Sequence, residues 1–599
     1  RRSRAGALRS RLQTRVAGWR GHWPVGLVLA AFAAAAVVVP TLAPVATTDD
    51  WGYARSAQIL VQEQRLVVFP VVAATAVFQV VWGALFGWLF GPLLGGFRLS
   101  TVVMVVLGAV ALYGLCRELG IDRQRSALGT AAYLFNPLLF VLAFTFMTDP
   151  HFVSLLLIAA WGYARGLRPD AAAPWWVIAG SGAAGLALLT RQQGVLIPLA
   201  VVVYLLVARR LRFDLRGVRL FLQVVALPLA IFAGYALWLR FGNDVPDVQS
   251  AFLRELVDEG WAGTWWLIER LTVVEIVYLG FFTLPIVVAA LVAGRNWRDR
   301  IPERGWPLFL VWTAVLTVGV TGLWVRGMRM PYIGQFLGAG GPGPPDVLGS
   351  RPRLLTADMR GVITIVCVIA SLALAVIAAR AIGARASPER ATAGLVLSIA
   401  LWQVIGIFPP SYHYIGWTAG SLDRYLLPLI PLAICLTLWA LRDRPLFAPA
   451  GWIVVALFAI FAIAGTRDYL VYMKGVWGMA YEAVAAGVPL DQLDAGAAWD
   501  GYFLYEYSLA NLDRGRTRGG PWWVYFYGRA TDSTYVISST RQRGLFPVWK
   551  REYSTWLNPE PTFLYLQRRP FRPWPPTGTG TILDTVPERP AAPGLDGSE

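Results

Sequence analysis

The sequence predicts an α-helical polytopic membrane protein with about thirteen transmembrane helices, interfacial helices on the outer surface, and a small extracytoplasmic α/β domain at the C-terminus. Three observations carry this. Of 599 residues, 56% are hydrophobic and only 15% charged, with mean hydropathy +0.53, whereas soluble domains are about 25% charged. The apolar residues come in charge-free runs of roughly 18 to 24, the length that crosses a bilayer. Arginines gather in short clusters between the runs, as topology signals do, and not along one stripe.

The net charge of +17 does not point to nucleic acid, because it is dispersed in those clusters; nearly all of it is arginine, with Lys474 and Lys550 the only lysines. Cys116, Cys367 and Cys435 lie in or beside apolar runs and offer no disulfide framework or CxxC metal site. The first apolar run, 23–45, follows an arginine-rich segment. It is too long, and lacks the exit, for a cleaved signal peptide, so it is expected to be a retained anchor.

The spans are expected at 23–45, 99–116, 127–146, 152–164, 174–190, 194–208, 219–239, 271–293, 307–325, 361–379, 392–408, 425–441 and 446–465. Basic residues are densest in the connections 1–20, 117–125, 165–168, 209–219, 295–304, 380–390 and 442–444, which marks these as cytoplasmic. The N-terminus is then inside, and an odd number of spans places everything after about residue 465 outside. In the first outer loop (46–98), Arg55, Gln58, Gln62 and Arg65 oppose Ala54, Ala57 and Val61, the pattern of an interfacial helix. The outer loop 326–360 is rich in Gly and Pro and is expected to be mobile. The runs WWVYFY, TYVISS and TFLYLQ suit strands. These features divide the chain into a transmembrane module (1–465), an extracytoplasmic domain (466–570) and a disordered tail (571–599).

No ionisable residue stands in the middle of a span; Glu275 comes nearest, close to an outer end. Ion-coupled transporters usually place such groups near the midplane, so chemistry at the outer surface fits better than transport. Candidate groups collect there. Asp49-Asp50 follows the first span; one carboxylate would suffice to cap the interfacial helix, and two exceed that need. Thr148-Asp149-Pro150-His151 suits a helix start, yet it adds a second acidic site to the same face. Arg191, Arg326, Arg329 and Arg424 stand on the arginine-poor side, where snorkelling at the interface competes with a bidentate grip on phosphate. Asp49, Asp50 and Asp149 are the residues that would hold a divalent metal ion, if one is used. His413 reads as a loop residue, and the DAGAAWDGY segment as packing or acceptor binding.

In their order these features resemble the GT-C superfamily of glycosyltransferases that use polyprenyl-phosphate-linked sugars, and within it the family-39 group of protein O-mannosyltransferases and aminoarabinose transferases. The resemblance spans about 20–470. It rests on Asp49-Asp50-Trp51-Gly52-Tyr53 after the first span, FRLSTVVMVVLGAVALYGLCRELG, FNPLLFVLAFTFMTDP, LALLTRQQGVLIPL and LDRYLLPLIPLAI. It implies a catalytic Asp49 flanked by Asp50 and Tyr53, a second-loop acid at Asp149, and transfer of a sugar to an acceptor hydroxyl with inversion. The donor would be a polyprenyl-phosphate-linked sugar; the acceptor, an envelope glycan, lipid or protein; the place, the outer face of a bacterial plasma membrane. Relatives often carry a basic residue before a Pro-Pro-like segment, where this chain has Phe69-Pro70-Val71-Val72. Phosphate and substrate binding are therefore expected from Tyr53, His151, Arg191, Arg326, Arg329 and Arg424. The rival reading is a transporter or flippase of lipid-linked glycans; a catalytically inactive scaffold is a third.

Overall fold

A computed structural model describes residues 21–168, 173–243, 246, 249, 260–294, 300–382, 387–408, 421–511, 521–528 and 531–570. The tail expected at 571–599 and His413 lie outside them. All thirteen apolar stretches fall on helix in whole or part. Among the described residues six helices are long and apolar enough to cross a membrane, or eight when two bent pairs count as one span each. The chain is a multi-pass membrane protein, but the count of thirteen is not reached by length and composition. The shortfall has visible causes. Trp23–Val38 is a 16-residue helix, about 24 Å at 1.5 Å per residue, short of a hydrocarbon core of about 30 Å. The run 127–146 breaks at Asn136-Pro137 into two helices at 64°: Asn136 Oδ1 caps the second by accepting from Leu138 N at 3.1 Å, with Pro137 in its first turn. The run 271–293 bends by 63° ahead of Leu284-Pro285.

The boundary expected after residue 465 falls inside one 38-residue helix, Ala448–Ala485. Beyond it, Leu493–Asp494, Tyr535–Ser538, Thr562–Arg568 and Phe546–Tyr553 form, in that spatial order, a four-stranded sheet whose first pair is parallel. TYVISS and TFLYLQ supply two of these strands. WWVYFY does not: Trp522–Phe526 is a short helix entered from Pro521, and the Trp522 ring meets Trp523 and Tyr527 edge to face.

The first outer loop carries the helix Asp50–Glu63. The first half of its polar side is covered, while Gln62 and Glu63 are exposed: Arg55 pairs with Glu506 at 3.2 Å and Gln58 donates to the Tyr502 hydroxyl at 3.0 Å, both on the helix Ala497–Ala510. Trp51 lies against Gly501, where a Cβ would stand 2.2 Å from the indole. The Gly/Pro loop, expected to be mobile, is held at two places. The Asp423 carboxylate accepts from Phe336 N and Leu337 N (2.7 Å for the latter), and Ser539 N donates to Leu348 O at 2.9 Å.

Candidate active site

The segment before Asp49 has no regular structure, so something else must fix it. Arg98, buried in the first turns of Leu94–Glu118, donates to the carbonyls of Thr41, Ala43 (2.8 Å) and Val45. Asp50 completes the fastening. Its Oδ1 accepts from Thr47 N at 2.6 Å, and its Oδ2 from Thr47 Oγ1 at 2.6 Å and Phe146 N at 3.2 Å. The first two close the turn that leads into the helix, whose N-cap is Asp49; the last ties the first loop to the segment that leads into Asp149. Burial raises the Asp50 pKa, opposed by Arg98 and these donors. The two neighbouring acids thus divide the work: Asp50, expected among the catalytic groups, has its oxygens committed to fastening the backbone, and Asp49 is left for other partners.

Asp49 Oδ2 lies 3.2 Å from Arg424 Nη2, and Asp49 Oδ1 accepts from the Tyr527 hydroxyl at 3.3 Å. Asp149, in the first turn of Thr148–Gly166, meets Arg191 Nη1 at 2.5 Å, and the same nitrogen donates to Thr148 Oγ1 at 3.2 Å. Tyr425 joins the two pairs. The guanidinium carbons of Arg191 and Arg424 each stand 5.5 Å from its ring centroid, within cation–π range. Asp149, Arg191, Gln193, Arg424 and Tyr425 line one small recess together with Phe152, Val153 and Pro428. Tyr53 is buried where the charges of Arg424, Asp49, Arg191 and Asp149 all act on its phenol, and burial pushes its pKa up to about 12.

The structure therefore gathers Asp49, Tyr53, Asp149, Arg191 and Arg424 of the expected set. It does not gather the rest. Arg329 turns back on its own helix end, donating to Trp324 O and Met328 O with its guanidinium over the Trp324 ring, and Arg326 is exposed beside it. Both follow the snorkelling pattern. His151 points into the core, with Nδ1 3.1 Å from Met147 O and its ring edge-on to Phe146. Among the described residues no three His, Cys, Asp or Glu side chains are grouped as metal ligands, so Asp49, Asp50 and Asp149 do not converge as a metal set.

Two members escaped the sequence. Tyr527 arrives from the C-terminal region, stacked edge-on against Trp51 at 5.2 Å between centroids. Asp346, from the Gly/Pro loop, is buried near Asp49; burial first, and then the Asp49 charge, push its pKa up to about 7. The only sequence signal for it is a lone acid in GPGPPDVLGS on the face already rich in candidates.

Residues 68–238 match the family model of dolichyl-phosphate-mannose-protein mannosyltransferases, a stretch that holds Asp149 and Arg191 but neither Asp49 nor Arg424. By that match the chain resembles membrane glycosyltransferases that use lipid-phosphate sugar donors. No curated protein matches it in sequence. Among solved structures it is similar to ArnT from Cupriavidus metallidurans bound to undecaprenyl phosphate, at 17% identity over 78% of this chain and 82% of that one, with TM-score 0.38. It is also similar to the oligosaccharyltransferase AglB from Archaeoglobus fulgidus in complex with an inhibitory peptide and a dolichol-phosphate, at 15% identity over 79% and 59%, TM-score 0.40. A third is the arabinosyltransferase EmbB from Mycobacterium smegmatis, at 13% identity over 80% and 44%, TM-score 0.32.

Proposed function

We propose that this protein transfers a sugar from a polyprenyl-phosphate-linked donor to an acceptor hydroxyl at the outer face of a bacterial plasma membrane, with inversion and with Asp49 as general base. The observation that carries the reading is the double acid–arginine arrangement on Tyr425, assembled from four separate stretches of chain. The acceptor oxygen attacks the anomeric carbon while its proton passes to Asp49. The bond from that carbon to the phosphate oxygen breaks, and its electron pair leaves with the lipid phosphate. Arg191 and Arg424 are preorganised to stabilise that charge: each is already oriented by a carboxylate and the Tyr425 ring. Arg326 and Arg329 are left out of this assignment. On this reading the N-terminus is cytoplasmic, residues 466–570 are extracytoplasmic, and the acceptor is an envelope glycan, lipid or protein.

The test is to incubate purified protein with a panel of polyprenyl-phosphate sugars and follow consumption of each donor and release of polyprenyl phosphate. One donor should be consumed, and Asp49→Asn should slow turnover by about 100-fold or more with thermal unfolding unchanged. Undiminished turnover by the variant would remove Asp49 as the base. Consumption of no donor would remove the transferase reading.

A further inference from the structure

We propose that Trp556, held beside Arg467 and on the same side as Lys474, seats the C-terminal region in the bilayer surface, at the boundary between lipid headgroups and acyl chains. The partner is the surrounding phospholipid, with Lys474 facing its phosphates. The inference does not depend on the transferase reading.

The helix Ala448–Ala485 is far longer than one span needs. A hydrocarbon core of about 30 Å is crossed in about 20 residues at 1.5 Å each. Counted from Ala448, which follows the basic segment 442–444, the helix therefore leaves the hydrocarbon at about Arg467. Its exposed apolar residues Ile453, Leu457 and Ile460 recur at the spacing that keeps one side of a helix toward lipid. Arg467 continues that stripe, and the exposed Lys474 lies on it two turns farther on. Helical side chains lean toward the N-terminus of their helix, which here is toward the membrane.

Trp556 is fixed at the level where the helix emerges. Asp468 accepts from Trp556 N at 2.8 Å and from Leu557 N at 2.9 Å, and Arg467 Nη1 donates to Ser554 O at 3.0 Å. The Arg467 guanidinium carbon stands 4.8 Å from the Trp556 ring centroid. The backbone is thus clamped, yet the indole is 57% exposed. In water that ring would leave apolar surface wet; at a bilayer interface the ring is buried while its N–H stays hydrated. Because the indole covers the end of the lipid-facing stripe, lipid is what meets it. The strand Phe546–Tyr553 leads away from this level. Tyr553 meets Tyr472, with 5.5 Å between ring centroids, and Arg551 pairs with Glu482, about 22 Å past Arg467 at 1.5 Å per residue. Phe546, exposed at the far end of the strand, lies beyond the reach of lipid.

The test uses the full chain in nanodiscs of phosphatidylcholine and phosphatidylglycerol. A small fluorophore is attached at Trp556→Cys and, separately, at Phe546→Cys and Lys474→Cys; the native cysteines are buried. The label at 556 should lose most of its emission to a nitroxide near the top of the acyl chain and little to aqueous iodide. At 546 the order should reverse. The label at 474 should be quenched by a headgroup nitroxide, and this exposed helix position decides the matter if Trp556→Cys does not fold. Quenching at 556 by iodide alone would put the loop in water and overturn the proposal. Protection from both quenchers would mean that a protein surface, such as a second copy, covers the ring, and would overturn it too, as would the absence of headgroup quenching at 474. Consumption of no donor by the wild type would overturn the transferase reading alone, since the quenching needs no substrate.

Discussion

Arg424 reaches Asp49 at 3.2 Å across 375 residues of chain. The pair is asymmetric: the guanidinium side chain is 7% exposed and the carboxylate 31%. The cation is therefore fixed, and the carboxylate remains accessible to a substrate. Arg424→Ala should reduce transfer by about 100-fold at saturating donor, the usual scale for removing a preorganised charge-stabilising donor. Arg424→Lys should recover little, because an ammonium lacks the planar fork that serves Asp49 and Tyr425 together. A near-wild-type kcat in Arg424→Ala would take this residue out of the site.

Neighbouring acids with different partners should fail differently. An asparagine at position 50 turns one of its amide N–H groups toward a donor, since Thr47 N, Thr47 Oγ1 and Phe146 N all donate to that side chain. Asp50→Asn should therefore destabilise the protein by about 1–3 kcal/mol, seen as a lower Tm, and lose activity through displacement of the first loop. Asp49→Asn should keep the Tm and lose turnover. The opposite pattern would exchange the two roles.

The helices were legible because apolar runs of this length have few other fates, and the acids and Arg191 because they sit beside span ends on the arginine-poor face. Span number was less legible: hydropathy sees composition, whereas Asn136-Pro137 and Leu284-Pro285 bend runs that are apolar throughout. Arg326 and Arg329 carry the same signal as Arg191 and Arg424, and only the fold separates arginines that reach the acids from one that folds back over Trp324. Asp346 and Tyr527 were hidden for another reason. Each is brought to Asp49 by long-range packing, through the Asp423 clamp on residues 336–337 and the aromatic contact with Trp51, and neither has a local pattern.

That aromatic contact gives a test of how the C-terminal region contributes. A methyl group at position 501 would stand 2.2 Å from the Trp51 indole, so Gly501→Ala should push the helix Ala497–Ala510 off Asp50–Glu63 and withdraw Tyr527 from Asp49. Turnover should fall and limited proteolysis after residue 485 should accelerate, with the helical bundle intact. Adding Trp51→Phe, a smaller ring, should restore part of both. Equal proteolysis in wild type and Gly501→Ala would show that the docking tolerates the methyl group.

Arg326 and Arg329 supply the complementary expectation. Arg326 is exposed and Arg329 is engaged with its own helix end. Alanine at either position should leave kcat within about twofold and stability within about 0.5 kcal/mol, as for surface changes away from special features. A hundredfold loss in kcat would return them to the phosphate-binding set.

Burial of acids predicts how stability follows pH. Asp346 is pushed up to about 7, mainly by burial and then by Asp49, and burial also raises Asp50, Asp494 and Asp500. Below about pH 4 an ordinary carboxyl is neutral both folded and unfolded, so Asp346 adds no slope. Between about pH 4 and 7 the unfolded chain releases this proton while the folded chain keeps it, so stability falls as pH rises. Above about pH 7 both states are ionised and the penalty is constant. Asp346→Asn carries no such penalty. The Tm of the variant minus that of the wild type should therefore grow from pH 4 to 7 and then level off. A difference that does not vary with pH would mean that Asp346 is ionised throughout, held so by Arg424 and Arg351 against the cost of its burial.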